Sequence, residues 1–443
     1  MPTPIEVERQ IAFERKQVRG GVEKLRKNTK DLEDKAYASA TVYGSVAISE
    51  TLVELINHID KKKDKYSKQG LGRDFVLHTQ YTFPVDSEVQ ALITSKVAFD
   101  HVFSPRTVKH NLTTIALAVG HALEGEAQLT YYESTGPELF ETLKRNYWHD
   151  AKGTAYKRKC IQTLMHKRNI TPWTSWDKPT KIKIGLWLLD CLLSSTGYFE
   201  RHIVVKANKR YTTLIPTEKF IKYQEEIVAC AEMYSPLTKP MLIPPRRWSI
   251  LQDGGYFLND LTRCYEMVRR GYHGLIQGEI PIEFLNKIQE VGYRLNPFTM
   301  GVAEELERQG IAIGKFRPVI NHVIPPKPVD IDTNEESRTQ WKRDAREKRN
   351  LQANEARKSC RTRMTMNIAR EFRNDVWFLP FSYDYRGRAY PIPSFLTPQD
   401  TDFGKSLLIS DKGAPITDEG KDWLSFSVAT CFGLDKASWQ ERI

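Results

Sequence analysis

The sequence predicts a mainly α-helical protein with smaller β elements, in the α+β fold class. Three observations support this prediction. Apolar residues recur at helical spacing over most of the first 195 positions. A second helical pattern, rich in charge, runs from Glu335 to Arg373. Residues typical of strands are concentrated in the segments 199–216 and 376–409.

The amino-terminal helices are predicted from apolar periodicity and from residues suited to helix ends. Ser87 is predicted to cap one helix, with Glu88 in its first turn, because a hydroxyl accepts from the free N–H groups there. Gly197 is predicted to end another helix, since glycine readily adopts the left-handed conformation. The predicted helical segments are 5–25, 48–59, 86–102, 106–129 and 179–195.

A β-hairpin is predicted over residues 199–216, "FERHIVVKANKRYTTLIP". Its two arms are rich in Ile, Val, Tyr and Thr, and the polar "KANKR" between them suits a turn. Two interpretations stay open at this point. The hairpin is an ordinary surface feature, or its basic tip reaches a nucleic-acid duplex.

Two proline-rich segments predict connectors rather than helices. The first, 235–257, contains Pro244 and Pro245, across which a helix cannot continue, so an extended and packed connector is expected. The second, 324–337, marks a boundary between modules.

The charged helical stretch from Glu335 to Arg373 holds twelve Lys and Arg and six Asp and Glu, a balance of +6. The whole protein carries +11, so more than half of the excess charge lies here. One interpretation is a solvated helix with pairs such as Arg343 and Glu347. The other is a helix that contacts a phosphate backbone. The run "ARKSCRTR" contains no acid, so its arginines are expected to lack local partners, which favours the second interpretation.

Several kinds of site are not supported by the sequence. Its six cysteines form no CxxC pair and its ten histidines no HExxH motif, so zinc and redox sites have no motif. No phosphate-binding GxxxxGK[ST] and no GxSxG occur. Asp400 and Asp402 have the spacing of a metal clamp, but a solvated loop that carries two carboxylates is the favoured interpretation.

Charge and hydropathy also bear on partners and location. The net charge and a pI of about 9.1 favour a polyanionic partner. The apolar run 184–193 is interrupted by Asp190 and is too short to span a bilayer, so no membrane partner is expected. The first residues lack the basic and then apolar pattern of a secretion signal.

The most unusual local motif is "SYDYRGRAYP" at 382–391, which places two arginines around Gly387. Taken alone, this motif fits a surface turn. It also fits a loop that grips phosphates, because a guanidinium binds phosphate oxygens in a bidentate manner.

The order of motifs around this stretch resembles the single-subunit, bacteriophage-type DNA-directed RNA polymerases. In that family a D-aromatic-R-G-R-x-Y motif opens the palm, and a P-Q loop, a lysine and a "KG-P" turn follow. Here the corresponding residues begin at Asp384 and continue through Pro398, Gln399, Lys405 and Gly413. Further segments that resemble the family are 120–129, 171–199, 235–257, 330–346 and 356–363.

The resemblance implies three domains. Residues 1–285 are expected to form a helical amino-terminal domain for promoter binding and melting, with the hairpin at 199–216. Residues 286–373 are expected to form a helical thumb-like region. Residues 374–443 would begin a right-hand polymerase palm, truncated before the catalytic motifs.

The family transfers nucleotides with two Mg²⁺ held by two palm aspartates, in motifs that follow the region matched here. The resemblance therefore implies Mg²⁺ as cofactor but assigns no catalytic residue and no metal ligand to this chain, which is expected to be inactive alone. The implied partners are promoter duplex, template strand, nascent RNA, nucleoside triphosphates and the carboxyl-terminal half of the polymerase. The expected location is the host-cell cytoplasm, since the chain reaches its first helix almost at once, with a mitochondrial protein as the alternative.

The resemblance also implies site residues. Template and hybrid contacts are expected from Arg386, Arg388, Tyr390, Lys405, Lys358, Arg361 and Arg363. Asp384 and Gly387 are expected to shape the loop between them. Promoter contacts are expected from Lys68, Arg73, Val205, Asn208, Lys209 and Arg210, of which the last four lie at a hairpin similar to the family's intercalating hairpin.

A second hypothesis belongs to another class, a non-enzymatic DNA- or RNA-binding protein that has kept only the binding half. The coding DNA beyond the codon for Ile443 discriminates between the two, since the polymerase hypothesis requires two further aspartate motifs there.

Overall fold

The computed structural model describes residues 2–70, 78–82, 85–106, 110–146, 154–171, 173–206, 209–262, 264–269 and 278–443. It is 62% helical with a few short antiparallel strands, which confirms the predicted fold class. The chain divides into two compact units. Residues 21–235 form the first, here called the helical unit, and residues 1–20 with 236–443 form the second, here called the mixed unit. The functional domains expected from the resemblance stay a prediction.

One long helix, α1 (Pro4–Asp34), contributes residues to both units. The other helices of the helical unit are α2 (Val42–Gln69), α3 (Ser87–Val102), α4 (Leu112–Thr135), α5 (Pro137–Asn146), α6 (Thr154–Lys167), α7 (Lys178–Thr196) and α8 (Glu218–Met233). Its strands β1 (Phe199–Lys206) and β2 (Lys209–Pro216) pair antiparallel, with Phe199 opposite Pro216. The predicted hairpin is therefore confirmed.

The mixed unit contains short strands among its helices. The helices are α9 (Asn259–Thr262), α10 (Glu279–Gln289), α11 (Pro297–Gln309), α12 (Glu335–Lys358), α13 (Cys360–Glu371), α14 (Asp402–Ser406), α15 (Asp418–Cys431) and α16 (Trp439–Arg442). The strands are β3 (Tyr293–Leu295), β4 (Phe381–Tyr383), β5 (Ala389–Pro391) and β6 (Leu408–Ser410). β3 pairs with β6, and β4 with β5, both antiparallel.

Helices α4 and α7 cross closely at the centre of the helical unit. Gly120 of α4 lies against the backbone of Lys181, and Gly185 of α7 lies against the backbone of Ala116. Both glycines are buried, and a Cβ on either would overlap a carbonyl group of the facing helix. The two backbones approach this closely only because neither glycine carries a side chain.

A buried ion pair joins the same two helices. Lys181 Nζ lies 2.8 Å from Glu124 Oε2, and both side chains are almost entirely buried. The other carboxylate oxygen of Glu124 accepts a 2.7 Å hydrogen bond from the Trp176 amide. The carboxylate is thus satisfied on both oxygens, as a buried charge requires.

Helix ends follow local chemistry at most positions. The side chains of Thr41, Asn111 and Asp177 accept hydrogen bonds from the first turns of α2, α4 and α7. Gly197 ends α7 at φ +63°, as predicted. The prediction for Ser87 is wrong by one position. Asp86 precedes the helix, and the Ser87 hydroxyl instead accepts a 2.8 Å hydrogen bond from Lys63 Nζ.

The core of the mixed unit forms around the extended segment 235–257, which is not helical, as predicted. Trp248 is buried there and donates from Nε1 to the Phe381 carbonyl at 2.9 Å. Gly254 packs directly against its indole ring, where a Cβ would not fit. The segment also pairs with the chain before β4, since Met241 bridges to Phe378.

The charged stretch from Glu335 onward is helical, as predicted, but it forms two helices. α12 and α13 are separated at Ser359, which is buried. Only Ala345 of α12 is buried, so this helix is nearly surrounded by solvent. The proline-rich segment before it contacts the helix, because Trp341 Nε1 donates to the Pro325 carbonyl at 2.9 Å.

Helices α15 and α16, here called the carboxyl-terminal helix pair, contain no buried residue. Trp423 and Trp439 nevertheless contact each other, with ring centroids 4.5 Å apart. Among the described residues, no helix is long and apolar enough to cross a membrane.

Candidate nucleic-acid interface

The residues 384–388, here called the arginine loop, connect β4 to β5. Ser382 pairs with Tyr390 across these strands, and the Asp384 amide donates to the Arg388 carbonyl at 2.9 Å. The Gly387 amide donates back to the Asp384 carbonyl at 3.0 Å. The motif therefore lies at the tip of a tight hairpin.

The carboxylate of Asp384 fixes the backbone of the arginine loop. Its Oδ1 accepts 2.9 Å hydrogen bonds from the amides of both Arg386 and Arg388. An aspartate that binds its own loop in this way stabilises the turn without needing a guanidinium partner. Both arginine side chains consequently extend from a loop whose shape is set by Asp384.

Arg386 and Arg388, the two arginines of the loop, are both exposed. Arg386 lies over the ring of Tyr385 at 5.1 Å and donates from Nε to its hydroxyl at 2.8 Å. Arg388 forms no side-chain hydrogen bond or ion pair with any described residue. Two cations without a carboxylate partner attract anions strongly, and phosphate is the anion that guanidinium groups match best.

Tyr385 was not among the sequence-predicted site residues. It is 72% exposed, and its hydroxyl accepts from Arg386 Nε. The alternation of aromatic and basic residues in "DYRGRAY" could have indicated Tyr385 as a site residue. Tyr390, which was predicted, is partly buried, with the Arg269 guanidinium 5.5 Å from its ring centre.

Replacing Gly387 with alanine is expected to destabilise the loop by about 1 to 2 kcal/mol. Gly387 has φ +79°, while nothing lies within 4 Å of an added Cβ, so backbone strain alone carries the cost. Gly413→Ala is a matched control, since Gly413 has open space and no positive φ. Chemical unfolding of both variants checks the difference. Equal stability of the two would contradict the strain argument.

The arginines of "ARKSCRTR" are expected to lack local partners, but Arg361 has a partner that is distant in the sequence. Its Nη2 lies 2.6 Å from Asp400 Oδ1, and its Nε donates to the same oxygen at 3.1 Å. Asp400 is fully buried at its side chain, so the favoured interpretation of a solvated loop is wrong for this residue. The sequence could not show this because the two residues lie 39 positions apart.

Asp400 and Asp402 do not form a metal clamp. One oxygen of Asp400 binds Arg361, the other packs against Gly404, and the Asp402 side chain is largely exposed. In the described part of the chain, no group of three or more His, Cys, Asp and Glu is arranged to hold a metal ion. The described residues therefore do not fit a Mg²⁺ site.

The remaining predicted hybrid-contacting residues are exposed on three elements. Lys358 ends α12, 3.5 Å from Glu355. Arg363 lies on α13 with no side-chain partner among the described residues. Lys405 lies on α14, 3.8 Å from Asp402. The loop before α14 also touches the hairpin of the arginine loop, because Gln399 Nε2 donates to the Ala389 carbonyl at 2.9 Å.

In the helical unit, the outer part of the β1–β2 hairpin exposes apolar side chains on both faces. Val205, which was predicted, is 65% exposed and pairs with Arg210. Ile203, 64% exposed, lies on the same face, while Val204 and Tyr211 pair on the opposite face. Ile203 was not predicted as a site residue, although the unbroken "IVV" is unlike a strand with one solvated face.

The base of the same hairpin is anchored in the core. Phe199 and Leu214 are buried, and Thr213 bridges to Asn111 at the start of α4. Arg201 Nη2 donates to Asp190 of α7 at 3.0 Å. A hairpin with a fixed base and an apolar outer part is suited to insertion between flat apolar surfaces such as bases.

The other predicted promoter residues differ in what the structure shows. Lys68 is exposed in the last turn of α2. Lys209 begins β2 and pairs with Lys206 at the end of β1. Arg73 and Asn208 lie outside the described residues.

The chain is similar to DNA-directed RNA polymerases. Residues 9–266 match the family model described as "DNA-directed RNA polymerase N-terminal". The chain is 30% identical to the DNA-directed RNA polymerase of Enterobacteria phage T3, over 80% of the chain and 42% of that relative. It is 28% identical to the T7 RNA polymerase of Escherichia phage T7, over 82% of the chain and 43% of that relative.

The chain belongs to the family of single-subunit, phage-type DNA-directed RNA polymerases. The resemblance predicted from its motifs is thereby confirmed. A mitochondrial DNA-directed RNA polymerase from Neurospora crassa is also similar, with 24% identity over 60% of the chain and 21% of the relative. The chain spans less than half the length of these relatives.

Proposed function

We propose that the protein acts in DNA-directed RNA synthesis as the amino-terminal part of a phage-type RNA polymerase. In this proposal it binds and melts promoter DNA and holds the template strand and the RNA–DNA hybrid. Its further partners are nascent RNA, nucleoside triphosphates and the carboxyl-terminal part of the polymerase. The relatives are polymerases, so the alternative of a non-enzymatic binding protein is not favoured.

The arginine loop is the observation that carries this proposal. Arg386 and Arg388 are exposed on a loop that Asp384 holds rigid, and no carboxylate of the described residues neutralises them. Such a loop binds phosphates without reading sequence, as gripping any template or transcript requires. Lys358, Arg363 and Lys405 would add further phosphate contacts from neighbouring sequence segments.

The apolar hairpin supports the proposed role in promoter melting. Opening a duplex requires that something replaces the lost base stacking, and an inserted apolar side chain does so. Ile203, Val204 and Val205 offer such side chains beyond an anchored base. Lys68, Arg73 and Arg210 would hold the flanking duplex by its phosphates or by a narrow minor groove.

Nucleotidyl transfer is proposed to use Mg²⁺ held outside the described residues, because none of them fits that ion. What this chain's own residues contribute is binding and orientation of nucleic acid. Accordingly, the chain given Mg²⁺, nucleoside triphosphates and a primed template is expected to extend no RNA. RNA extension by this chain alone would refute the proposal that catalysis needs residues outside it.

Arg388→Lys is expected to weaken binding of a labelled RNA–DNA hybrid roughly fivefold, because lysine keeps the charge but loses the bidentate geometry. Binding of double-stranded promoter DNA is expected to change little. Fluorescence anisotropy with the two probes measures both affinities. In the complete polymerase, the same variant is expected to release short RNA products early.

The matched control is Arg308→Lys, since Arg308 is exposed but already paired with Glu305 on its own helix. It is expected to leave both affinities unchanged. Weaker promoter binding with normal hybrid binding in Arg388→Lys would overturn the assignment of the arginine loop.

Val205→Ser is expected to reduce, by a few fold, the preference of the protein for a duplex with a single-strand junction over a fully paired duplex. The apolar side chain is lost while the strand pairing stays. Competition binding between the two DNA forms gives the ratio. Ser substitution at Thr212, on the same hairpin, is the control. An unchanged ratio in Val205→Ser would contradict insertion by this residue.

The host-cell cytoplasm is the proposed location. The phage relatives, at 30% and 28%, share more identity with the chain than the mitochondrial relative from Neurospora crassa, at 24%.

A further inference from the structure

A single side chain bridges the two strands that carry the arginine loop. Arg269 donates from Nε to the Ser382 hydroxyl of β4 at 2.7 Å. It donates from Nη2 to the Pro391 carbonyl of β5, also at 2.7 Å. Its guanidinium also lies 5.5 Å from the ring centre of Tyr390 on β5. One planar group thus contacts both strands at once.

The backbone of Arg269 is fixed in the same sheet. Its amide donates to the Tyr383 carbonyl at 2.7 Å, and the Tyr383 amide donates to the Met267 carbonyl at 2.6 Å. Val268 between them bridges to Tyr383 in a parallel sense. The segment 267–269 therefore lies beside β4, and the side chain of Arg269 starts from a defined position.

The two strands need such external support. β4 and β5 have three residues each, and a two-stranded ribbon of that length is not stable alone. A guanidinium holds two donors in a fixed plane, which lysine cannot reproduce. Arg269 therefore adds a side-chain link between β4 and β5 to the backbone pairing of the two strands.

Arg269 is an exposed residue, but its guanidinium lies against the hairpin. Partial desolvation lowers the pKa of this guanidinium from the ordinary value, although an arginine stays protonated. No acidic side chain among the described residues forms an ion pair with it. Its hydrogen bonds go to a hydroxyl and to a backbone carbonyl, and the nearby Asp384 carboxylate attracts its charge without forming an ion pair.

We propose that Arg269 is a positioning residue, which aligns the hairpin so that Arg386 and Arg388 present their guanidinium groups to a nucleic-acid backbone. This inference deepens the proposed function and rests on it. Arg269 itself touches no nucleic acid in this scheme. It acts through the two arginines, which lie three to six positions from Ser382 and Pro391, the residues that it binds on the two strands.

A double-mutant cycle tests the positioning role with the purified protein and a labelled RNA–DNA hybrid. Arg386→Ala with Arg388→Ala removes the contacts themselves and is expected to weaken binding more than tenfold. Arg269→Lys in the native background is expected to weaken binding roughly fivefold. In the background that lacks both loop arginines, Arg269→Lys is expected to cause no further loss.

Three outcomes are decisive. Unchanged binding after removal of both loop arginines would overturn the proposed function of the loop itself. If that removal weakens binding but Arg269→Lys does not, the positioning role is overturned. The positioning role would also be overturned if Arg269→Lys weakened binding equally with and without the loop arginines. Such an effect would not act through Arg386 and Arg388.

Folding is checked by circular dichroism and thermal unfolding of each variant. If Arg269→Lys does not fold, Ser382→Ala removes one acceptor of the same guanidinium and is taken through the same cycle. It is expected to weaken hybrid binding about twofold, again only when the loop arginines are present.

Discussion

Gly185→Ala is expected to unfold the helical unit or to lower its free energy of unfolding by about 3 kcal/mol or more. The new Cβ would overlap the backbone carbonyl of Ala116 on the facing helix. A backbone atom cannot rotate away as a side chain can, so α4 and α7 would have to separate. Separation would also disturb the buried Glu124–Lys181 pair. Chemical unfolding followed by circular dichroism measures the loss.

Gly301→Ala is the matched control for this substitution. Gly301 also lies inside a helix, α11, but nothing occupies the space around its Cα. Alanine is expected to stabilise that helix by up to about 1 kcal/mol, because it favours the helical conformation more than glycine does. If both variants had the same stability, the close approach of α4 and α7 would not explain the need for glycine at position 185.

Arg361→Met is expected to destabilise the mixed unit by about 3 kcal/mol. The substitution keeps most of the side-chain volume but leaves the buried carboxylate of Asp400 without its counter-charge. The loop 394–400 would also lose the hydrogen bond that Arg361 donates to the Ser394 carbonyl at 3.1 Å. Chemical unfolding of the variant measures the loss in free energy of unfolding.

The double variant Arg361→Met with Asp400→Leu is expected to recover part of that loss, since no buried charge remains. Arg363→Met, two positions away, is expected to change stability by less than about 0.5 kcal/mol while weakening hybrid binding. A stable Arg361→Met with reduced hybrid binding would show that Arg361 contacts nucleic acid instead of supporting the loop.

The sequence predicted those features that depend on local chemistry. The hairpin at 199–216 and the end of α7 at Gly197 follow from residue types within a few positions. The pair Arg361 and Asp400 and the bridge from Arg269 to Ser382 were missed. They join residues 39 and 113 positions apart, and no spacing rule connects such distances. β3 and β6 are three residues each, too short for a periodic signal.

The arginine loop was predicted as a motif, but its construction was not. Asp384 binds the amides of Arg386 and Arg388 and not a guanidinium. This arrangement depends on the turn that Gly387 permits. Sequence order identified the family, while only the three-dimensional arrangement separates Arg361, which binds a carboxylate, from Arg363, which faces solvent.

The carboxyl-terminal helix pair gives the protein an intrinsic optical probe. Trp423 and Trp439 are in contact and partly exposed, so their fluorescence is expected to be red-shifted and readily quenched by acrylamide. Trp248 and Trp377 are buried, so acrylamide is expected to quench them far less. Any molecule that covers the helix pair would shift the emission to shorter wavelength without a label attached to the chain.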